Sequence, residues 1–288
     1  MLRIVALSIL LILQGCSGTA LFIANTIASL GDHKVERDIA YGELEDEVLD
    51  IYLPDAEGEK PVVVFFYGGC WGACLHYTRE SYEFLAEAFT DEGYIVVVPD
   101  YPHYPDLFYE DIMRSAARVI DWVDANIGDY GGNAAHILLS GHSAGAHMAA
   151  MLALDERGLV NSTRSASLAG FIGFAGPYDF LPFTDDYQYE LFGPEEKFDA
   201  SQPINFVDGI EIPMLLLHGK DDTRVRPKNS KNLAASLQVF ESDVELKLYD
   251  DIDHTGLLAS LATPFRERRP VMQDIRKFLS ERSHRNRR

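Results

Sequence analysis

A doubly wound, mostly parallel α/β sheet is the fold this sequence predicts, on two observations. From residue 62 onward, short runs of β-branched and aromatic residues alternate with stretches whose apolar residues recur every three or four positions. The chemistry-bearing residues fall just after those runs, where the crevice of such a sheet opens. The chain has 288 residues, which one α/β domain can fill, and no repeat or Gly/Ser-rich linker divides it. A single domain is therefore expected over residues 34–288.

The elements follow in order. Lys34 to Tyr41 and Val48 to Leu53 read as two antiparallel leading strands joined by an acidic turn. Pro61 to Phe66 is a continuous apolar run, as a strand buried on both faces requires. Tyr94 to Val98, His136 to Ser140, Leu168 to Phe174 and Met214 to His218 are further strands. Val244 to Tyr249 alternates, as an edge strand should. Helical spacing joins Tyr82, Leu85 and Phe89; Ile112, Ala116, Val119, Val123 and Ile127; Leu233, Leu237 and Phe240; and Val271, Ile275, Phe278 and Leu279. The segment at about 176–210 is aromatic and too long for a turn. It is expected to fold over the site as a small cap.

The formal net charge of −20 excludes nucleic acid as a partner, because phosphate binding needs clustered Lys and Arg. It also disfavours a strongly anionic substrate. Residues 266–288 run the other way, with nine Lys/Arg against three Asp/Glu, and read as a solvated final helix with a frayed end.

At the N-terminus, Arg3 precedes the apolar stretch Ile4 to Leu13, too short to span a bilayer alone. Leu13-Gln14-Gly15-Cys16 resembles the lipobox of bacterial lipoproteins, with Gln14 departing from the usual small or β-branched residue. The expectation is a signal peptide over 1–15, lipid on Cys16, a tether over 16–33, and an exported protein, either in a bacterial periplasm or anchored to a membrane. Cys70 and Cys74 are the other cysteines. They are either a short-range disulfide or two buried thiols, and they are too few to hold a structural zinc.

Gly141-His142-Ser143-Ala144-Gly145 ends one strand and opens a helix of small residues. This is G-x-S-x-G in the strand–turn–helix setting that a nucleophilic serine needs. The turn must be sharp for the hydroxyl to project, and glycines at 141 and 145 leave the room. The helix start directs its N–H groups at a reacting carbonyl, with Ala144 as one oxyanion donor. Tyr67-Gly68-Gly69-Cys70-Trp71 matches the glycine-rich oxyanion loop of esterases, with Tyr67 in place of a bracing His. Gly68, Gly69 and Cys70 are its candidate donors. Trp71, His142 and Tyr67 are candidates to line the pocket. In such hydrolases the order along the chain is Ser, acid, His. His218-Gly219-Lys220-Asp221-Asp222-Thr223-Arg224-Val225 places the acid at Asp222, with Asp221 the near alternative. His254 stands in the loop before the last helix, while His33 and His284 lie near the ends, His76 and His103 before Ser143, and His142 and His147 beside it.

These segments, with Pro99-Asp100-Tyr101 and Tyr130-Gly131-Gly132, resemble the α/β-hydrolase esterases. That branch includes carboxylesterases, feruloyl-esterase-like proteins and kynurenine-formamidase-like enzymes. The resemblance implies an α/β-hydrolase fold and a Ser143–Asp222–His254 triad. It also implies hydrolysis of small to medium carboxylic esters through an acyl-enzyme, with no cofactor or metal. Two other readings stay open: an amidase, arylformamidase or peptidase with the same triad, and a hydrolase-fold protein that only binds.

Overall fold

The computed structural model describes residues 24–28, 31, 33–155, 168–209, 212–263 and 265–283. The expected signal segment and Cys16 lie outside the described residues. Eight strands form one sheet: β1 (Lys34–Ala40), β2 (Val48–Leu53), β3 (Lys60–Phe66), β4 (Ile95–Pro99), β5 (Gly132–His142), β6 (Leu168–Phe174), β7 (Met214–Gly219) and β8 (Val244–Tyr249). Their order across the sheet is β1-β2-β4-β3-β5-β6-β7-β8. The β1–β2 and β2–β4 pairs are antiparallel and every other pair is parallel, so β2 alone runs against the rest.

The helices among the described residues include α1 (Glu83–Thr90), α2 (Tyr109–Asn126), α3 (Ala144–Leu154), α4 (Asp186–Leu191), α5 (Lys228–Val239), α6 (His254–Ala259) and α7 (Val271–Ser283). Every residue of α3 is buried, so it is the central helix of the core and has no polar face. Strands β4 and β7 are buried along their whole length and β3 over its last five residues, as their unbroken apolar runs require. Strand β8 is at the edge, as expected. It does not alternate between buried and open positions, being half-buried from Val244 to Leu248. Helix α5 packs on it, and from α7 Asp274 takes the Tyr249 hydroxyl at 2.9 Å and stands 3.4 Å from Lys247. Among the described residues no helix is long and apolar enough to cross a membrane.

Two buried charge networks fix the leading half of the sheet. The Glu47 carboxylate closes the acidic turn by accepting the N–H groups of Glu43 and Leu44 at 2.9 and 3.2 Å, and it also takes Ser115 and Arg118. Asp50 of β2 accepts Arg79 Nε at 2.8 Å and Arg37 Nη1 at 2.9 Å, and the Arg79 guanidinium continues to Asp100. Buried carboxylates and guanidinium groups persist because each is paired.

The order of strands changes direction at β3, which has β4 on one side and β5 on the other. In such sheets the ligand crevice lies at that switch, outside the carboxyl ends of the strands. The loops after β3, β5, β7 and β8 carry the candidate site residues.

Candidate active site

Ser143 stands at the turn between β5 and α3 with φ 55° and ψ −122°. A non-glycine residue in that region costs on the order of 1–3 kcal/mol, which the surroundings must offset. The Ser143 N–H donates to the Phe174 carbonyl at 2.9 Å, and the Ser143 carbonyl accepts the His147 N–H at 3.1 Å. Both flanking glycines are sterically required. A Cβ on Gly145 would stand 2.0 Å from the Phe66 carbonyl oxygen, and one on Gly141 would stand 2.4 Å from the Gly145 carbonyl.

The loop after β3 lies against this turn. A Cβ on Gly68 would stand 3.0 Å from Ser143 Cβ. Gly68, Gly69, Cys70 and Ala144 thus lie on the two turns that meet at Ser143, as candidate oxyanion donors. Gly69 has φ 121°, Cys70 57° and Trp71 55°. A disulfide joins Cys70 to Cys74, with their Cα atoms 5.3 Å apart.

Asp222 and His254 are brought together. His254 Nδ1–H donates to Asp222 Oδ2 at 2.7 Å, while Oδ1 of the same carboxylate accepts the N–H groups of Arg224 and Val225, both at 2.9 Å. Asp222 is 3% exposed. Burial works against its charge, but hydrogen bonds from His218 and His254 prevail and hold the carboxyl below the usual carboxylate range. Asp221 is exposed. His218 fixes the Asp222 loop from beneath, donating Nε2–H to the Val225 carbonyl at 2.8 Å with Nδ1 2.7 Å from Ser230 Oγ. The two loops are tied by backbone: Lys220 N–H bonds the Tyr249 carbonyl and Asp221 N–H the Ile252 carbonyl. Gly219 packs so closely that a Cβ would stand 2.1 Å from the Ile252 oxygen. His254 opens α6, and Asp253 caps it by accepting the Gly256 N–H at 2.7 Å.

The three residues expected to line the pocket are all buried. Tyr67 is 1% exposed, donates its hydroxyl to Asp100 Oδ1 at 2.9 Å and stacks on Tyr82 and Tyr101. These contacts brace the loop from behind. The pull comes from the Asp100–Arg79 pair, far away in sequence. His142 sits beside His254: its ring centroid is 4.7 Å from that of His254, and Nε2–H donates to the His254 carbonyl at 3.1 Å. Burial first, then the neighbouring His254, push the His142 pKa down to about 3, so it is a neutral packing partner and not a proton carrier. Trp71 packs on His147, Phe180 and Phe192 and is 2% exposed.

Phe180 and Phe192 come from the aromatic segment that follows β6. Phe183 meets Phe180, Tyr189, Phe192 and Phe198 with centroids 4.8–5.5 Å apart, an apolar cluster joined to Trp71 and to His147 of α3. Gln188 Oε1 accepts the N–H groups of Thr184 and Asp185, which starts the short α4.

Arg224 was not singled out by sequence reasoning. Its Nη2 donates to Cys70 Sγ at 2.9 Å and to Cys74 Sγ at 2.7 Å. Its place two residues after the acid was the one available signal, since its partners are about 150 positions away.

Residues 49–237 match the BD-FAE family model. An isoprenylcysteine α-carbonyl methylesterase of Arabidopsis thaliana is 29% identical over 247 residues, 78% of this chain and 57% of the relative. The kynurenine formamidase of Danio rerio is 28% identical over 235 residues, covering 78% of this chain and 76% of that protein. Esterase LipQ of Mycobacterium tuberculosis is 30% identical over 221 residues, 70% of this chain and 52% of that protein. The chain spans little more than half the length of the plant methylesterases it matches, 51% and 57% for two of them. In structure, an inhibited esterase B from Lactobacillus rhamnosis superposes with a TM-score of 0.78 at 18% identity, covering 91% of this chain and 93% of that one. Thermogutta terrifontis esterase 2 gives 0.71 at 21%, covering 86% and 94%. At those identities the likeness speaks for the fold. With the family match, it places the chain in the BD-FAE family, within the esterase branch of the α/β-hydrolases.

Proposed function

We propose that this protein hydrolyses small to medium carboxylic esters, with Ser143 as nucleophile, His254 as general base and acid, and Asp222 orienting His254. The observation that carries the reading is the His254 Nδ1–Asp222 Oδ2 bond of 2.7 Å, in a loop pair whose neighbour His142 adjoins a serine held at φ 55°. With Nδ1–H committed to Asp222, the His254 Nε2 lone pair is left to take a proton. In unliganded hydrolases the serine–histidine bond is commonly long and tightens when substrate arrives.

In the proposed cycle Ser143 Oγ attacks the ester carbonyl while His254 removes its proton. The N–H groups of Gly69, Cys70 and Ala144 hold the oxyanion, and losing one such donor costs about 10²–10³ in rate. The alcohol departs with the proton from His254, and water activated by His254 then releases the acid. The aromatic cap over Trp71 suits a short or medium acyl chain.

A second reading keeps the triad and changes the substrate to an arylformamide, favoured by the similarity to kynurenine formamidases. Export and lipidation at Cys16 rest on the N-terminal sequence, and the Cys70–Cys74 disulfide supports an oxidising compartment. Hydrolysis of p-nitrophenyl esters from acetyl to long acyl, beside an arylformamide and beside Ser143→Ala, tests the proposal. Ester turnover lost in the mutant, with an optimum at short or medium chains, is expected. Equal silence of both folded proteins on esters would overturn it, and arylformamide turnover alone would select the second reading.

A further inference from the structure

The loop that carries Gly69 and Cys70 runs through four successive residues with positive φ: Gly69 at 121°, Cys70 at 57°, Trp71 at 55° and Gly72 at 101°. L residues adopt that region rarely, so two of the four depend on outside restraint. One restraint is backbone: the Gly69 carbonyl accepts the N–H groups of Gly72, Cys74 and Leu75 at 3.1, 3.3 and 3.4 Å. The other is covalent, the Cys70–Cys74 disulfide, and Cys74 is exposed to solvent.

Arg224 lies across that bond, with Nη2 within 2.9 Å of both sulfurs. The same guanidinium stands 4.0 Å from Asp185 Oδ2 of the cap, and its charge acts on the nearby Tyr187. Its backbone N–H is held by the Asp222 carboxylate. One side chain thus joins the oxyanion loop, the loop of the acid and the cap.

We propose that the Cys70–Cys74 disulfide and Arg224 form a thiol-sensitive latch on the oxyanion loop, closed when oxidised and open when reduced. This rests on the ester-hydrolase reading above. A disulfide sulfur is a weak acceptor and offers a guanidinium little, whereas a thiolate offers it a full charge. In reduction, a thiolate of a dithiol attacks one sulfur, the S–S bond breaks, and the other cysteine leaves as thiolate. The dithiol's second thiolate then displaces the mixed disulfide, giving a cyclic oxidised dithiol and two cysteines that take protons from water. Arg224 stabilises the departing thiolate, so it speeds opening. Once open, Cys70 and Trp71 are free to leave the left-handed region, and the Gly69 and Cys70 N–H groups lose their aim.

The test is dithiothreitol treatment of the full-length protein, read by thiol titration, by steady-state kinetics on a short p-nitrophenyl ester, and by amide hydrogen exchange over residues 68–75. A gain of two thiols is expected, with kcat down by about 10- to 100-fold, short of the loss of a donor outright. KM should move little, exchange in the loop should quicken, and reoxidation should restore the rate. Cys74→Ala should start at the low kcat and ignore dithiothreitol. Arg224→Gln should be reduced several-fold more slowly than wild type. Two thiols gained with kcat and exchange both unchanged would overturn the latch, because the Gly69 carbonyl bonds would then suffice. Arg224→Gln reduced at the wild-type rate would remove Arg224 from it. Quickened exchange in a protein that hydrolyses no ester even when oxidised would leave the latch standing and sink the ester-hydrolase reading.

Discussion

Replacing Asp222 by Asn should abolish most turnover while leaving substrate binding nearly intact. Oδ1 of the native carboxylate accepts two backbone N–H groups at 2.9 Å, and Oδ2 accepts His254 Nδ1–H at 2.7 Å. An Asn that keeps its oxygen on the backbone donors must turn its NH₂ toward His254. Two donors then face each other unless the imidazole moves its proton to Nε2, and an Nε2–H cannot accept the Ser143 proton. The expected loss in kcat is on the order of 10⁴, about 5 kcal/mol of barrier. KM should change little, because the interaction lost is made in the transition state. Asp221→Asn is the control, since Asp221 is exposed and should stay near wild type. Kinetics on a short p-nitrophenyl ester, with melting curves to show that both variants fold, decide the matter. Asp222→Asn retaining more than about a tenth of kcat, or Asp221→Asn suffering the larger loss, would refute the assignment. The substitution should also cost stability. A carboxyl held below its usual range stabilises the fold above that range and loses the contribution as pH falls toward its depressed value, so the deficit should shrink below about pH 4.

Gly145→Ala forces a Cβ onto the backbone oxygens of Phe66 and Tyr67, at 2.0 and 2.4 Å. A lower melting temperature, worth roughly 1–3 kcal/mol, and a displaced Ser143 with reduced turnover are expected; a variant as stable and active as wild type would contradict the packing described. Burial pushes the pKa of His147 down to about 4 and that of His142 to about 3. The unfolded chain binds those protons near pH 6.5 and the native one does not, so stability should fall as pH drops below about 6.5, by about 1.4 kcal/mol per pH unit for each histidine. His147→Gln should flatten urea-unfolding midpoints between pH 7 and 5 by one histidine's share, and an unchanged slope would contradict its burial as a neutral ring.

Strands β3, β4 and β7 were legible because burial on two faces leaves unbroken apolar runs, and the turn at Ser143 was legible because its glycines are sterically forced. Those are local signals. The role of Tyr67 was not local: its hydroxyl answers to Asp100, itself held by Arg79, and nothing in Tyr67-Gly68-Gly69 records that network. His142 likewise was readable as a neighbour of the serine but not as the ring packed on His254, 112 residues on. The half-burial of β8 escaped the reading because Asp274 reaches it from α7, outside any window of the strand itself. Arg224 depends on cysteines that approach it only in the folded chain.

The proposed mechanism turns on Ser143 as the nucleophile. Its most direct test is a fluorophosphonate probe followed by peptide mass mapping of the labelled protein. A single adduct on Ser143, formed in step with loss of ester hydrolysis and absent from Ser143→Ala, is the predicted result. An adduct on another residue, or full loss of activity with Ser143 unmodified, would contradict it.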